Sequence, residues 1–209
     1  QPLLVKTRVR NQIELKKHRD QLDLLVHART EQLSLTQEVT IEAMATLAEW
    51  RDPETGGHIK RTQHYVRTLA EYMAALPGYQ RILSKNMIEM LYLSAPLHDV
   101  GKVSTPDAIL FKPGRLTPEE FEQMKLHTVH GRDLLFAAEQ RLGSDSFLSI
   151  AHDIAYCHHE RWDGKGYPRG IREEAIPLSA RLMSVADVYD ALASKRVYKP
   201  ALPHEKVME

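Results

Sequence analysis

Leu97-His98-Asp99-Val100-Gly101-Lys102 sets an imidazole, a carboxylate and an ammonium almost side by side, directly after the apolar run Met90-Leu91-Tyr92-Leu93. Adjacent histidine and aspartate side chains can reach two neighbouring metal ions, the carboxylate bridging them through its two oxygens. Lys102 follows one helical turn after Asp99. Together these groups make a core for metal-assisted phosphoester hydrolysis. A lone His-Asp pair is commoner as a surface feature or a helix cap, and His152-Asp153 repeats it without a following Gly-Lys. The residues around the pair must therefore decide its meaning.

The chain has 209 residues and 43% apolar content, enough to bury the core of one large domain or of a domain with an appendage. Lysine plus arginine, 28, equals aspartate plus glutamate, 28, so no global field favours nucleic acid or an anionic membrane. Phosphate chemistry must then rest on local charges. The single cysteine, Cys157, excludes an internal disulfide framework, and no apolar run reaches the roughly 18 residues of a membrane span. The expected compartment is the cytoplasm. Eleven histidines are the compositional feature that points to metal. Gln1 at the start and Glu209 inside a beginning helix suggest a piece of a longer chain.

Between Pro2 and Pro53 there is no glycine or proline, and Leu22, Val26, Leu33, Ile41, Met44 and Ala48 recur mostly at helical spacing. An unbroken helix here would be about 75 Å long. It either packs along the domain or serves as a linker that pairs with a second copy as a short coiled coil. Asp52-Pro53 interrupts it. Further helices are expected over about 55–76, 80–97, 117–138, 145–160 and 177–194, and from 203 onward. Thr117-Pro118-Glu119-Glu120 gives the clearest start signal. The segments 104–115 and 163–176, rich in proline and glycine, read as ordered loops, and no period-2 strand run is found. The expected fold class is all-α.

The remaining histidines and acids fall at regular intervals. Separations from His58 to His98, His98 to His127, His127 to His158 and His159 to Asp187 are 40, 29, 31 and 28 residues. Each is about one helix and its return, so a bundle can bring these groups to a common point. Glu54 precedes His58 by four residues and can share its face. Mixed imidazole and carboxylate donors suit iron, manganese or similar first-row ions better than magnesium or structural zinc.

As a whole the pattern resembles the HD-GYP phosphodiesterases, over about residues 38–209. It rests on Arg51-Asp52-Pro53-Glu54-Thr55-Gly56-Gly57-His58-Ile59, on His98-Asp99-Val100-Gly101-Lys102 with Pro106-Asp107-Ala108-Ile109-Leu110, and on Met124-Lys125-Leu126-His127. His158-His159-Glu160-Arg161-Trp162-Asp163-Gly164-Lys165-Gly166-Tyr167-Pro168, Ala186-Asp187-Val188-Tyr189-Asp190 and Arg196-Val197-Tyr198-Lys199 continue it. The resemblance implies an HD-superfamily helical bundle with a long N-terminal linker helix, over residues 1–37. It also implies hydrolysis of cyclic di-GMP by way of pGpG, often as far as GMP. His58, His98, Asp99, His127, His158, His159 and Asp187 are the implied ligands of two metal ions, Asp99 bridging them, and Glu54 matches the carboxylate that accompanies a third. Lys102, Arg196 and Lys199 are implied phosphate contacts, with Tyr167 near the nucleotide. His130, His64 and His152 are expected not to ligate, and Asp190 to act as a supporting carboxylate.

Residues up to about Leu35 more weakly resemble the last helix of a response-regulator receiver running into a connecting helix. Partners implied are a homodimer through that helix and a GGDEF-domain protein docked on the Gly-Tyr-Pro loop. The same ligand set is compatible with pGpG or cyclic GMP-AMP as preferred substrate, or with a nucleotide-binding module of little turnover.

Overall fold

The computed structural model describes residues 2–49, 57–143, 146–194 and 201–208. Eight α-helices are present among them: α1 (Pro2–Glu49), α2 (His58–Ala74), α3 (Lys85–Ser94), α4 (Asp107–Leu110), α5 (Pro118–Leu142), α6 (Phe147–Cys157), α7 (Leu178–Ala193) and α8 (His204–Val207). No strand occurs among the described residues, so the all-α expectation holds. None of these helices is long and apolar enough to cross a membrane.

Two compact units divide the chain at Thr40/Ile41. In the first, α1 runs without a break, as the absence of glycine and proline predicts, and its side chains are exposed almost throughout. Leu15, Leu22, Leu25, Val26 and Leu33 are all more than half exposed.

The second unit is built round α6. Its sequence Phe147-Leu-Ser-Ile-Ala-His-Asp-Ile-Ala-Tyr-Cys157 is apolar on more than one face, the pattern of a helix enclosed by others. Ile150 and Ile154 join Val66, Ala70, Leu91, Leu182, Met183 and Ala186 in one core cluster, against α2, α3 and α7. Leu148, Ala151 and Ala155 join Ile41, Leu97, Val100 and Leu135 in a second, towards α5 and the end of α1. α6 thus ties both halves of the core together.

The expected start of α3 near residue 80 is corrected to Lys85. Residues 77–83 form turns, and Ser84 caps the helix by accepting the Met87 N–H at 3.2 Å. Pro96 then accompanies a tightening to a 3₁₀ turn, Ala95–Leu97, followed by a second, Val100–Ser104. α5 begins as predicted with a full capping box between Thr117 and Glu120, and continues past residue 138 to end at Gly143, φ 92°. α4 and the 3₁₀ turn Glu173–Ala175 lie within the two stretches expected as loops.

Candidate metal centre

His98 and Asp99 sit at the corner between the two 3₁₀ turns, so consecutive side chains are aimed into the space between α2, α5, α6 and α7. His58 is the first residue of α2 and His158 caps the end of α6. His127 and Asp187 come from helix interiors, of α5 and α7. The candidate ligands thus converge from both helix ends and helix middles.

Asp99 Oδ1 lies 3.3 Å from His127 Nε2 and 3.6 Å from His158 Nε2, while Oδ2 lies 3.3 Å from His98 Nε2 and 2.7 Å from Lys102 Nζ. His58 Nε2 is 3.4 Å from His98 Nε2 and 3.6 Å from Asp187 Oδ1. Two groups of donor atoms suited to a cation result: Asp99, His127, His158 and His159, and His58, His98 and Asp187, each with its atoms within 4.8 Å of one another. All seven expected ligands in the described residues are brought together. Glu54, Arg196 and Lys199 lie outside the described residues.

The ring orientations test whether metal fits. His98 Nδ1 faces the Ala95 carbonyl at 3.0 Å, His127 Nδ1 the Met124 carbonyl at 2.8 Å, and His158 Nδ1 the Ile154 carbonyl at 3.0 Å. His58 Nδ1 faces Asp190 Oδ2 at 2.8 Å. Carbonyl and carboxylate oxygens only accept, so each Nδ1 carries a proton, and the lone pair that each ring offers in its neutral form, on Nε2, turns inward. His127 Nε2, His158 Nε2 and Asp99 Oδ1 are buried and make no hydrogen bond. Such an assembly of acceptors without donors is costly in the interior, and a divalent cation is the group that satisfies it.

Electrostatics agree for two of the rings. Burial lowers the His127 pKa to about 4, and burial, with His158 beside it, holds His159 far below its ordinary value. Both rings are neutral at pH 7 and need lose no proton to ligate. Burial also opposes charge on His98, but the Asp99 carboxylate outweighs it and raises that ring to about 9, so His98, unlike those two, must give up its Nε2 proton to ligate. Burial would raise Asp99, yet Lys102 and His98 hold it well below the usual carboxylate range.

Asp190 supports the site, as expected, and Arg61 is its partner. The guanidinium forks onto Asp190 through Nε at 2.6 Å and Nη2 at 3.0 Å, leaving Oδ2 also to orient His58. Against desolvation, His58 and Arg61 together keep Asp190 well below the ordinary carboxylate value. Its contribution to stability is therefore present above about pH 4 and is lost as the pH falls through the depressed value. Replacing Asp190 with asparagine should cost on the order of 3 kcal/mol at pH 7. The melting-temperature gap between the metal-free parent and this variant should narrow on acidification below about pH 4; a constant gap would contradict the pairing.

Tyr167 stacks on His159, ring centroids 4.7 Å apart at 31°, and meets Phe121 edge-on at 6.1 Å. Burial, then Asp99, raises its pKa, so the phenol stays neutral. Lys125 Nζ lies 5.5 Å from the Tyr167 ring and 4.9 Å from that of Phe121. Lys125 and Phe121 were not singled out from the sequence, although their spacing, four apart on one helix face and six and two before His127, carried the signal. These residues open onto a groove of about 910 Å³ that also includes His158, Trp162 and Arg181.

The family model for the HD domain matches residues 25–209. The chain is 57% identical over 87% of its length to a cyclic di-GMP phosphodiesterase of Vibrio cholerae, covering 37% of that protein. It is 42% identical over 79% of its length to a cyclic di-GMP phosphodiesterase of Thermotoga maritima, covering 42% of it. A 3'3'-cGAMP-specific phosphodiesterase 2 of Vibrio cholerae is 38% identical over 83% of this chain, which covers 31% of that protein. The chain thus spans less than half the length of these curated relatives. With its paired His98-Asp99 among converging histidines and its Gly166-Tyr167-Pro168 loop beside them, the chain belongs to the HD domain family, in its HD-GYP form.

Proposed function

We propose that this chain is the catalytic part of a metal-dependent phosphodiesterase that hydrolyses cyclic di-GMP to pGpG and onward to GMP. The observation that carries the reading is the Asp99 carboxylate set between two inward-turned histidine groups with Lys102 at its side. The names of the Vibrio cholerae and Thermotoga maritima relatives support the substrate. Two or three first-row ions, iron or manganese, suit the donor set, with Glu54 reserved for the third. Divalent ions held by such ligands activate water and polarise phosphoryl oxygens.

The protein's own groups divide the remaining work. Asp99 joins the two ligand groups and fixes their separation. Lys102 carries a positive charge at the edge of the site, where it neutralises charge that grows on the phosphoryl oxygens. Arg196 and Lys199 hold a phosphate by charge-assisted hydrogen bonds. Tyr167, Phe121 and Lys125 present a flat aromatic and cationic wall to the nucleotide. Replacing Lys102 with alanine should leave metal content unchanged and lower kcat by about 100-fold. Normal turnover in that variant would remove its assigned role.

The proposal extends to a homodimer through α1, supported by the exposed leucines of residues 2–40, and to a GGDEF-domain protein as a docking partner. It places the reaction in the cytoplasm, in keeping with a lone buried thiol, Cys157. A second substrate, 3'3'-cGAMP, is supported by the name of the third relative. The test is turnover of cyclic di-GMP, pGpG and 3'3'-cGAMP by anaerobically purified protein, with metal content measured on the same sample. Two or more metals per chain with cyclic di-GMP cleaved fastest is the expected result. Full loading with no cleavage would overturn the enzyme reading in favour of a binding module.

A further inference from the structure

Glu160 immediately follows the histidine pair and is only 4% exposed. It belongs to neither donor group, and its Oε1 accepts the backbone N–H of Arg169 at 2.7 Å. Its Oε2 is buried without a hydrogen-bond partner. A carboxylate is costly to hold in that way, so its single strong bond to the loop must accomplish something a smaller residue would not.

The bond closes the Gly-Tyr-Pro loop. The chain leaves His159, turns through Asp163, whose Oδ1 accepts the Lys165 N–H at 3.0 Å, and comes back against its own start. On return, the Tyr167 N–H donates to the His159 carbonyl at 3.2 Å and the Arg169 N–H donates to Glu160. Gly166 meets the outgoing strand of the loop so closely that a Cβ there would stand 2.4 Å from Glu160 Cα and 2.5 Å from the His159 oxygen. Tyr167 and Pro168 are therefore held between two fixed points, one before and one after them. Between those points the ring of Tyr167 lies over His159, with its other ring neighbours, Phe121 and His127, more than 6 Å away.

We propose that Glu160 is a positioning residue, which fastens the end of the Gly-Tyr-Pro loop to the chain beyond the histidine pair and so sets the Tyr167 ring at the rim of the metal centre. The inference rests on the phosphodiesterase reading for its kinetic consequence, though not for the clamp itself. Glu160 touches no reacting atom in this assignment and acts only through Tyr167.

The experiment compares Glu160→Ala, Glu160→Gln, Tyr167→Ala and the Glu160→Ala/Tyr167→Ala double variant in the metal-loaded protein. It reads metal content, amide hydrogen exchange across residues 163–169, and KM and kcat for cyclic di-GMP. Glu160→Ala should keep its metals, expose the Arg169 and Tyr167 amides to faster exchange and raise KM about tenfold, with kcat changed far less. Glu160→Gln retains an acceptor for Arg169 and should restore KM to within about twofold. Once Tyr167 is alanine, the Glu160 change should add almost nothing, the sign of two residues acting as one unit. Independent, multiplying effects, lost metal, or unchanged exchange would each overturn the assignment. If Glu160→Ala does not fold, Arg169→Pro removes the same bond from the exposed side of the loop and must give the same faster exchange of the Tyr167 amide and the same rise in KM. Should the parent protein cleave no cyclic dinucleotide, the phosphodiesterase reading fails, while the exchange data still decide whether the clamp exists.

Discussion

Asp99→Ala protein should purify without its metals and turn over no substrate, the two losses arriving together. The carboxylate faces both donor sets, through Oδ1 towards His127 and His158 and through Oδ2 towards His98. Without it, each set loses an anionic oxygen, and the Lys102 ammonium, 2.7 Å away in the parent, remains beside the histidines with that countercharge gone. A positive charge in that position repels a cation as it enters. Losing even an outer partner of a metal ligand costs about 10- to 100-fold in affinity, so losing the shared ligand should exceed about 100-fold. Metal analysis of the dialysed variant and an assay with added iron or manganese are the measurements. Two ions per chain retained after dialysis would remove Asp99 from its bridging role.

Gly101→Ala should damage the same site without touching a ligand. A Cβ at this position would lie 1.9 Å from the His127 carbonyl oxygen, 2.5 Å from the Gly131 nitrogen and 2.9 Å from the His127 carbonyl carbon. All three are backbone atoms of α5, so no side chain can swing aside. The 3₁₀ turn that carries Gly101 must back away from α5, and Asp99 leaves His127. Overpacking costs about 1 to 3 kcal/mol, occasionally more, and rigid backbone neighbours put this case at the upper end. For a chain of this size that is a fall in melting temperature of about 10 °C. Metal affinity should fall with it. Gly131→Ala is the contrast: its Cβ would meet Ala155 Cβ and Gly101 N only at 3.3 Å, so both losses should be smaller. Equal effects from the two changes would refute the close approach at Gly101.

The long first helix and the start of α5 were legible because their signals are local: an unbroken stretch without glycine or proline, and a capping box. The start of α3 was misjudged because residues 80–84 contain no glycine or proline to mark the turns, and Ser84 acts only through its cap on Met87. α4 escaped notice because a four-residue helix has no period to detect. At the site, the resemblance supplied the candidate ligands, and their spacing, each interval about a helix and its return, allowed the convergence that the structure shows. What gives those ligands their direction was less readable. Arg61 forks onto Asp190 across 129 residues, and Phe121 reaches Tyr167 through packing that no sequence period encodes. Glu160 stood inside a quoted motif without a role, because its partner is a backbone N–H nine residues on.

Three of the candidate ligand histidines, His98, His127 and His158, each bond through Nδ1 to a carbonyl three or four positions earlier in their own segment. The aim of each imidazole is thus inherited from the pitch of a single helical turn and is set as soon as that turn forms. For these three, tertiary structure contributes only the spacing between rings that already point the right way, whereas His58 takes its direction from Asp190. Assembly of the centre is then a matter of bringing finished parts to the right separation, and ion uptake has few side chains left to order. Insertions in the connecting loops can alter the chain between ligands freely, provided they leave intact the one turn that precedes each histidine.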